Sequence, residues 1–267
     1  MKLVPWTGQP GGLALMRKYL LVLIVILFFV AATAYFNRVG EENGGIGPET
    51  ERDSGEVEYP DLGGTEDVKL YPVDEAAENP EFEAFRSELI AAAQAKDVDF
   101  IRRHTDETIR YTFGINKGLD GFLRRWGLDT NPEESPFWDE LLRVLELGGS
   151  FRNEEKTSFV APYVFSEFPE DIDAFQHVAI IDKNVKVYAE PSADSEVLGT
   201  LTYSIVRVLE RHFESEEARR PIWLKVETFS GNSGYIPAEY GRSPVDYRGN
   251  WVKTGDTWKK IFFVAGD

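Results

Sequence analysis

The sequence predicts a mixed α+β protein that carries a small closed β-barrel toward its C-terminus and an apolar segment near its N-terminus. Three observations carry this prediction. Apolar residues recur at helical spacing in three stretches between residues 80 and 147. From Val185 to Tyr240, short runs of alternating character are punctuated by Gly, Pro and Ser, the pattern of strands and tight turns. Tyr19 to Phe36 is a run of 18 residues without a charge.

That run, at ~1.5 Å of rise per residue, spans about 27 Å, close to the ~30 Å hydrocarbon core of a bilayer. Arg17 and Lys18 precede it and acidic residues follow. The positive-inside rule then puts residues 1–18 in the cytoplasm, a transmembrane signal anchor at 19–36 and the folded part outside. A secretory signal cleaved after Ala34 is the alternative, since Ala32-Thr33-Ala34 has the small-x-small pattern. The anchor predicts a single-pass protein of the cytoplasmic membrane, and cleavage predicts a secreted or periplasmic one. Met16 opens Met-Arg-Lys-Tyr-Leu-Leu, so Met1 and Met16 both read as starts.

Residues 37–80 read as a disordered acidic linker. Residues 41–80 hold 13 acids against 2 bases and few apolar side chains, too little to drive folding. Order is expected from Pro80. Phe82, Phe85, Leu89 and Ala92/Ala93 share a helical face. A short helix follows Asp97, a natural N-cap. Ile109 to Phe113 alternates and stops at Gly114, predicting a strand. Leu119 to Leu128 and Phe137 to Leu147 read as helices, the second ended by Gly148-Gly149. Phe159 to Phe165 reads as a strand interrupted by Pro162.

These elements make an α+β domain at 81–180, followed by the barrel at 181–243. The last 24 residues are not tail-like. Val245–Lys253 and Thr257–Val264 read as a hairpin carrying Trp251, Trp258, Phe262 and Phe263, too apolar to stand alone in water. The hairpin 244–267 is therefore expected to complete the α+β domain, with the barrel as an excursion from it.

Several function classes are disfavoured. The net charge of −17 opposes nucleic acid and anionic lipid surfaces. Absence of Cys removes disulfides, thiol nucleophiles and Cys-based zinc sites. His104, His177 and His212 are far apart and form no metal motif. No nucleophile elbow or phosphate-cradling glycine loop occurs, so the expectation is no catalytic residues, no metal and no cofactor. Acid pairs such as Asp106 with Glu107, or Glu170 with Asp173, read as solvated loop charge. Tyr111, Phe113 and Trp126 lie close enough in sequence to line a pocket, or simply to fill core.

The strands Val185-Lys-Val-Tyr188, Val197-Leu-Gly-Thr-Leu201, Trp223-Leu-Lys-Val226 and Gly234-Tyr-Ile-Pro237 together resemble the bacterial SH3 (SH3b) domain. Two departures stand out: Tyr188-Ala189-Glu190 where the family often has Arg-Ser-Gly, and a long charged loop from Arg211 to Arg220. Trp223, Tyr235 and Tyr240 make either an aromatic binding groove or barrel core. Helices leading into strands resemble the NTF2-like cone. The runs Ser158–Phe165, Asp173–Ile180 and Phe263–Asp267 resemble a set of exported bacterial proteins in which an α+β domain precedes an SH3b unit. That resemblance implies binding without an assigned chemistry. The expected partner is a cell-envelope peptide, a peptidoglycan fragment or a protein, with membrane contact through the N-terminal helix and no nucleic acid. The alternative is an enzymatic or small-molecule-binding α+β domain with the barrel as accessory.

Overall fold

Two β-sheets, each lining its own apolar core, organise the chain in a computed structural model that describes residues 58–266. The expected cytoplasmic residues 1–18, the anchor at 19–36 and the first part of the expected linker, 37–57, lie outside the described residues. Among the described residues no helix is long and apolar enough to cross a membrane.

Helix α1, Pro80–Gln94, starts where Asn79 accepts the amides of Glu81 and Phe82 through its side chain and Pro80 occupies the first turn. Its inner face buries Phe82, Phe85 and Leu89. The Asp97 carboxylate caps α2, Val98–Arg103, by accepting the Phe100 amide at 2.9 Å. Strand β1 is Thr105–Arg110, α3 is Leu119–Trp126 and α4 is Phe137–Glu146. Strands β2, Ser150–Phe151, and β3, Ser158–Ala161, precede the short α5, Tyr163–Ser166.

Counting strands in chain order, the C-terminal hairpin is β11, Arg248–Thr254, and β12, Thr257–Val264. It fills the middle of the first sheet, whose order is β1-β12-β11-β3-β2. Thr105 of β1 lies opposite Lys260 in parallel, and Phe159 of β3 lies opposite Trp251 in antiparallel register. Trp251, Trp258 and Phe263 therefore share one core with Phe82, Ile109, Phe122, Phe137 and Leu141. Phe82 meets the Trp258 ring edge-on at 4.7 Å, and Phe137 meets Phe263 at 5.5 Å.

The second sheet holds seven strands in the order β10-β4-β7-β8-β9-β5-β6. They are β4 His177–Ile180, β5 Val185–Tyr188, β6 Val197–Leu201, β7 Ile205–His212, β8 Trp223–Glu227, β9 Ser233–Pro237 and β10 Gly241–Arg242. Val185, Val187, Val206, Leu224, Val226 and Ile236 point into its core. Alternation along each strand produces this face, as period-2 side-chain placement requires.

Three expectations need correction. The first strand runs Thr105–Arg110, not Ile109–Phe113. Parallel pairing with β12 stabilises the polar Thr-Asp-Glu-Thr run, while Phe113 is left 47% exposed. The strand at Phe159 ends at Ala161, and Tyr163–Ser166 turns helical. The expected linker is not unstructured through residue 80. Residues 58–79 lie on the folded part: Leu62 donates its amide to the Thr200 carbonyl at 2.9 Å, and Leu70 donates to Tyr203 at 2.7 Å. Val68, Leu70 and Val73 join Tyr163, Val164, Ala179 and Ile205 in a third small cluster at the seam between the two sheets. There burial pushes the Tyr163 phenol up to about 12, and its hydroxyl has no hydrogen-bond partner.

Lys260 is the least expected core residue. Its side chain is fully buried and its Nζ has no hydrogen-bond partner. The amine lies 4.5 Å from the ring centroids of Phe122 and Phe137 and 5.2 Å from Phe263. Ring faces offset part of the cost of a buried cation, yet desolvation dominates and holds the amine well below the ordinary lysine range. In the unfolded chain the amine titrates near ~10.4. Between the folded value and that limit the unfolded state binds more protons, so stability rises with pH, by up to about 1.4 kcal/mol per unit. Urea unfolding between pH 7 and 9.5, below tyrosine titration, is expected to show this slope in the wild type. Lys260→Met should abolish the slope and raise stability at pH 7; an unchanged slope would refute the assignment.

Candidate functional site

The most organised surface lies on the outer face of β7, β8, β9 and β5. Along β8, Leu224 and Val226 are buried, so Trp223, Lys225 and Glu227 face outward. Cross-strand register places His212 beside Trp223, Glu210 and Tyr235 on either side of Lys225, and Tyr188 beside Tyr235. The Tyr188 and Trp223 rings meet edge-on at 5.4 Å, and His212 meets Tyr235 at 5.3 Å. Lys225 Nζ lies 5.6 Å over the Tyr235 ring and donates to Glu210 Oε1 at 3.0 Å. That hydrogen bond is the main reason the Glu210 carboxyl is held below its ordinary value and the Lys225 amine above its own. His212 Nε2 stands 3.3 Å from the other Glu210 oxygen. The result is a shallow strip of three aromatic rings around a bridged charge pair.

Of the three aromatics singled out from sequence, Trp223 and Tyr235 belong to this strip. Tyr240 does not; it packs against the barrel core with Leu62 and Ala238. Tyr188 and His212 are members that sequence reading passed over. Their available signal was weak: Tyr188 stood out only as a departure from the family pattern, and both depend on cross-strand register.

The second group, Tyr111, Phe113 and Trp126, is dispersed. Tyr111 packs on the first core, its ring 6.4 Å from Phe122. Phe113 lies under the Arg248 guanidinium at 5.4 Å. Trp126 alone lines a cavity, a cleft of about 1430 Å³ between α4 and the barrel. Asp139, Glu140 and Arg143 form its helical wall, and Leu224, Pro237 and Arg242 its barrel wall. The long β7–β8 loop forms its rim, where Phe213 and Ile222 are 46% and 49% exposed.

From that loop Arg220 crosses the cleft to ion-pair with Glu140, whose side chain is only 12% exposed. Deeper in, Arg242 donates Nη2 to the Tyr247 carbonyl at 2.7 Å and lies 3.6 Å from Asp246. Burial pulls the Arg242 pKa down, while the Asp246 and Glu140 carboxylates favour its charge. Glu140 Oε2 and Arg242 Nε have no hydrogen-bond partner.

A smaller pocket of about 370 Å³ is lined by Asp173, Gln176, His177, Arg207, Glu227, Thr228 and Phe229. His177 and Phe229 stack there at 5.7 Å. The Phe175 amide, donated to Asp173, is the main reason that carboxyl sits below its ordinary range. Among the described residues no group of three or more His, Asp or Glu side chains is placed to hold a metal ion.

Residues 183–242 match the family model of the bacterial SH3 domain. The matched stretch runs from the turn before β5 through β10. The chain thus carries a bacterial SH3 domain, a class that commonly binds peptidoglycan or proteins. No curated protein and no solved structure matches the chain.

The Arg220–Glu140 pair predicts a graded response. Arg220→Ala leaves a nearly buried carboxylate without its partner, at a cost of about 1–3 kcal/mol. Trypsin should then cut faster after Arg219 in the freed loop. Denaturant melts and timed digests of wild type and variant check both; equal cutting rates would show that the pair does not hold the loop.

Proposed function

We propose that the protein is a noncatalytic binding protein of the cell envelope, using the outer face of its SH3b barrel to hold an extended peptide of a protein or of peptidoglycan. The observation that supports this most is the strip of Tyr188, Trp223 and Tyr235 around the Lys225–Glu210 pair. It is shallow and spans several strands, which suits a chain laid across it better than a small molecule enclosed on all sides. Rigid aromatics supply contact area at little entropic cost, and the charge pair supplies polar contacts. The uncharged run 19–36 and the charge asymmetry around it support membrane tethering with the folded part outside.

The cleft between α4 and the barrel favours a second reading, in which the α+β domain and the barrel jointly enclose a small ligand. Its two unpartnered polar atoms, on Glu140 and Arg242, suit a ligand bearing both a donor and an acceptor.

Capture of the full-length detergent-solubilised protein on purified peptidoglycan and on its stem peptides separates the readings. Trp223→Ala with Tyr235→Ala is expected to cut capture by about tenfold or more, the scale of an interface hot spot, and to leave folding intact because both rings lie on the outer face. Capture unchanged by the double variant but lost in Arg242→Ala would move the site to the cleft. Loss in neither would overturn the binding assignment to both surfaces. Fractionation of expressing cells with N-terminal sequencing tests the tether, and a soluble mature chain beginning at Tyr35 would replace the anchor with a cleaved signal.

A further inference from the structure

Residues 59–70 contact the barrel more closely than a tether needs to. Pro60 and Leu62 flank Asp61, which bridges Thr200 of β6 in parallel. Thr200 donates its amide to the Pro60 carbonyl at 2.9 Å, and Leu62 donates its own amide back to Thr200 at 2.9 Å. The Leu62 side chain packs on the barrel core. Asn232, in the β8–β9 turn, donates Nδ2 to the Leu62 carbonyl at 3.0 Å. Gly199 makes this approach possible: a Cβ there would stand 2.5 Å from the Pro60 oxygen and 2.6 Å from Leu62 Cγ. On the outer side Lys186 Nζ sits 5.7 Å over the Tyr59 ring, and Asp61 lies 3.8 Å from Lys69.

We propose that the β6 edge of the barrel is a recognition site for an extended peptide, filled in cis by residues 59–62, and that a partner segment of the same chemistry gains the edge by displacing them. The inference rests on reading the barrel as a binding module and adds a second surface and a mode of control. In strand addition, main-chain hydrogen bonds at an exposed edge supply affinity and side-chain pockets supply specificity. Here the bound segment itself shows the specificity. The occupant offers an aromatic ring to Lys186, a proline, an acid near Lys69 and an aliphatic side chain to the core. The matching partner is an extended, acidic, proline-containing segment ending in an aliphatic residue.

Two features make the cis segment releasable without unfolding the rest. Gly63 and Gly64 follow it directly. Beyond them the chain is anchored again and independently: Ile205 donates its amide to the Val68 carbonyl at 2.8 Å, and Lys69 Nζ donates to Ser204 Oγ at 2.8 Å. Residues 59–62 can therefore leave the edge while 68–70 stay. Pro60 has no amide to donate, so the pairing does not propagate along the edge. A partner in trans competes with a segment whose effective concentration is on the order of mM.

The test uses the full chain in detergent and a fluorescent peptide spanning residues 58–64. Leu62→Asp should open the edge, seen as faster hydrogen exchange at the Thr200 amide. The peptide should then bind the variant at least tenfold more tightly than wild type, and Gly199→Val in the same background should abolish binding. If Leu62→Asp loses its cooperative melt, a protease site inserted between Gly63 and Gly64 provides the open edge after cleavage, and the same comparison is made. Equal binding to closed and open forms, or no binding to a form whose Thr200 amide exchanges fast, overturns the proposal. The Trp223→Ala, Tyr235→Ala variant should bind the peptide as its parent does, so failure at the outer strip and failure at the edge read out separately.

Discussion

The α+β half of this protein depends on strand pairing with the last segment of the chain. β12 joins β1 in parallel and β11 joins β3 in antiparallel register, so the sheet that backs α1, α3 and α4 is only half built until Thr257–Val264 arrives. The helices bury Phe82, Phe122, Phe137 and Leu141 against Trp251, Trp258 and Phe263. Each such burial is worth roughly 1.5–3 kcal/mol, and without the hairpin those faces would meet water. The barrel is consequently enclosed within the sequence of the other unit. Its entry strand, β4, and its exit strand, β10, pair with each other, which lets the chain leave the first sheet and come back to it at neighbouring points.

The distribution of charge follows from the same arrangement. The seam between the two sheets is apolar at one place, where Leu70, Tyr163, Ala179 and Ile205 meet, and ionic at another, where Arg220, Glu140, Arg242 and Asp246 line the cleft. The apolar patch holds the two sheets together by burial, whereas the ionic wall leaves polar atoms of Glu140 and Arg242 without a hydrogen-bond partner. Lys260 follows a different rule: it sits where the first sheet and its helices press together, held by ring faces and not by a carboxylate.

Much of the local structure was legible in the sequence because it is locally determined. Asp97 caps the helix it precedes, and α1 and α4 bury the stripes that their spacing marks. The barrel strands alternate as their sequence does, with Leu224 and Val226 inward and Trp223 and Lys225 outward. What was missed is non-local. Alternation places the strand at Ile109–Phe113, and Asp106 and Glu107 read as loop charge, because the partner of β1, β12, lies far along the chain. Residues 58–79 looked like tether because they carry seven acids against one base, although Leu62, Val68, Leu70 and Val73 were present as the signal. The outer strip was half legible: Trp223 and Tyr235 follow from alternation, while Tyr188 and His212 require register. Tyr111, Phe113 and Trp126 failed as a group since nearness in sequence does not survive the turn at Gly118 and the helix that follows it.

The way the chain enters its fold has a mechanical consequence. Among the described residues, the N-terminal segment meets the barrel at β6, next to Thr200, before it arrives at the helix that begins the α+β core. Tension applied at residue 58 would fall initially on two parallel-bridge hydrogen bonds, the Asn232 contact and the Leu62 side chain. The Val68–Leu70 contacts come next in line, and behind them stands the whole aromatic core. Such a series of attachments yields in steps, from the weakest outward, so a pull on the N-terminal side would be reported at the barrel's edge while the sheet that holds the molecule together carries no load.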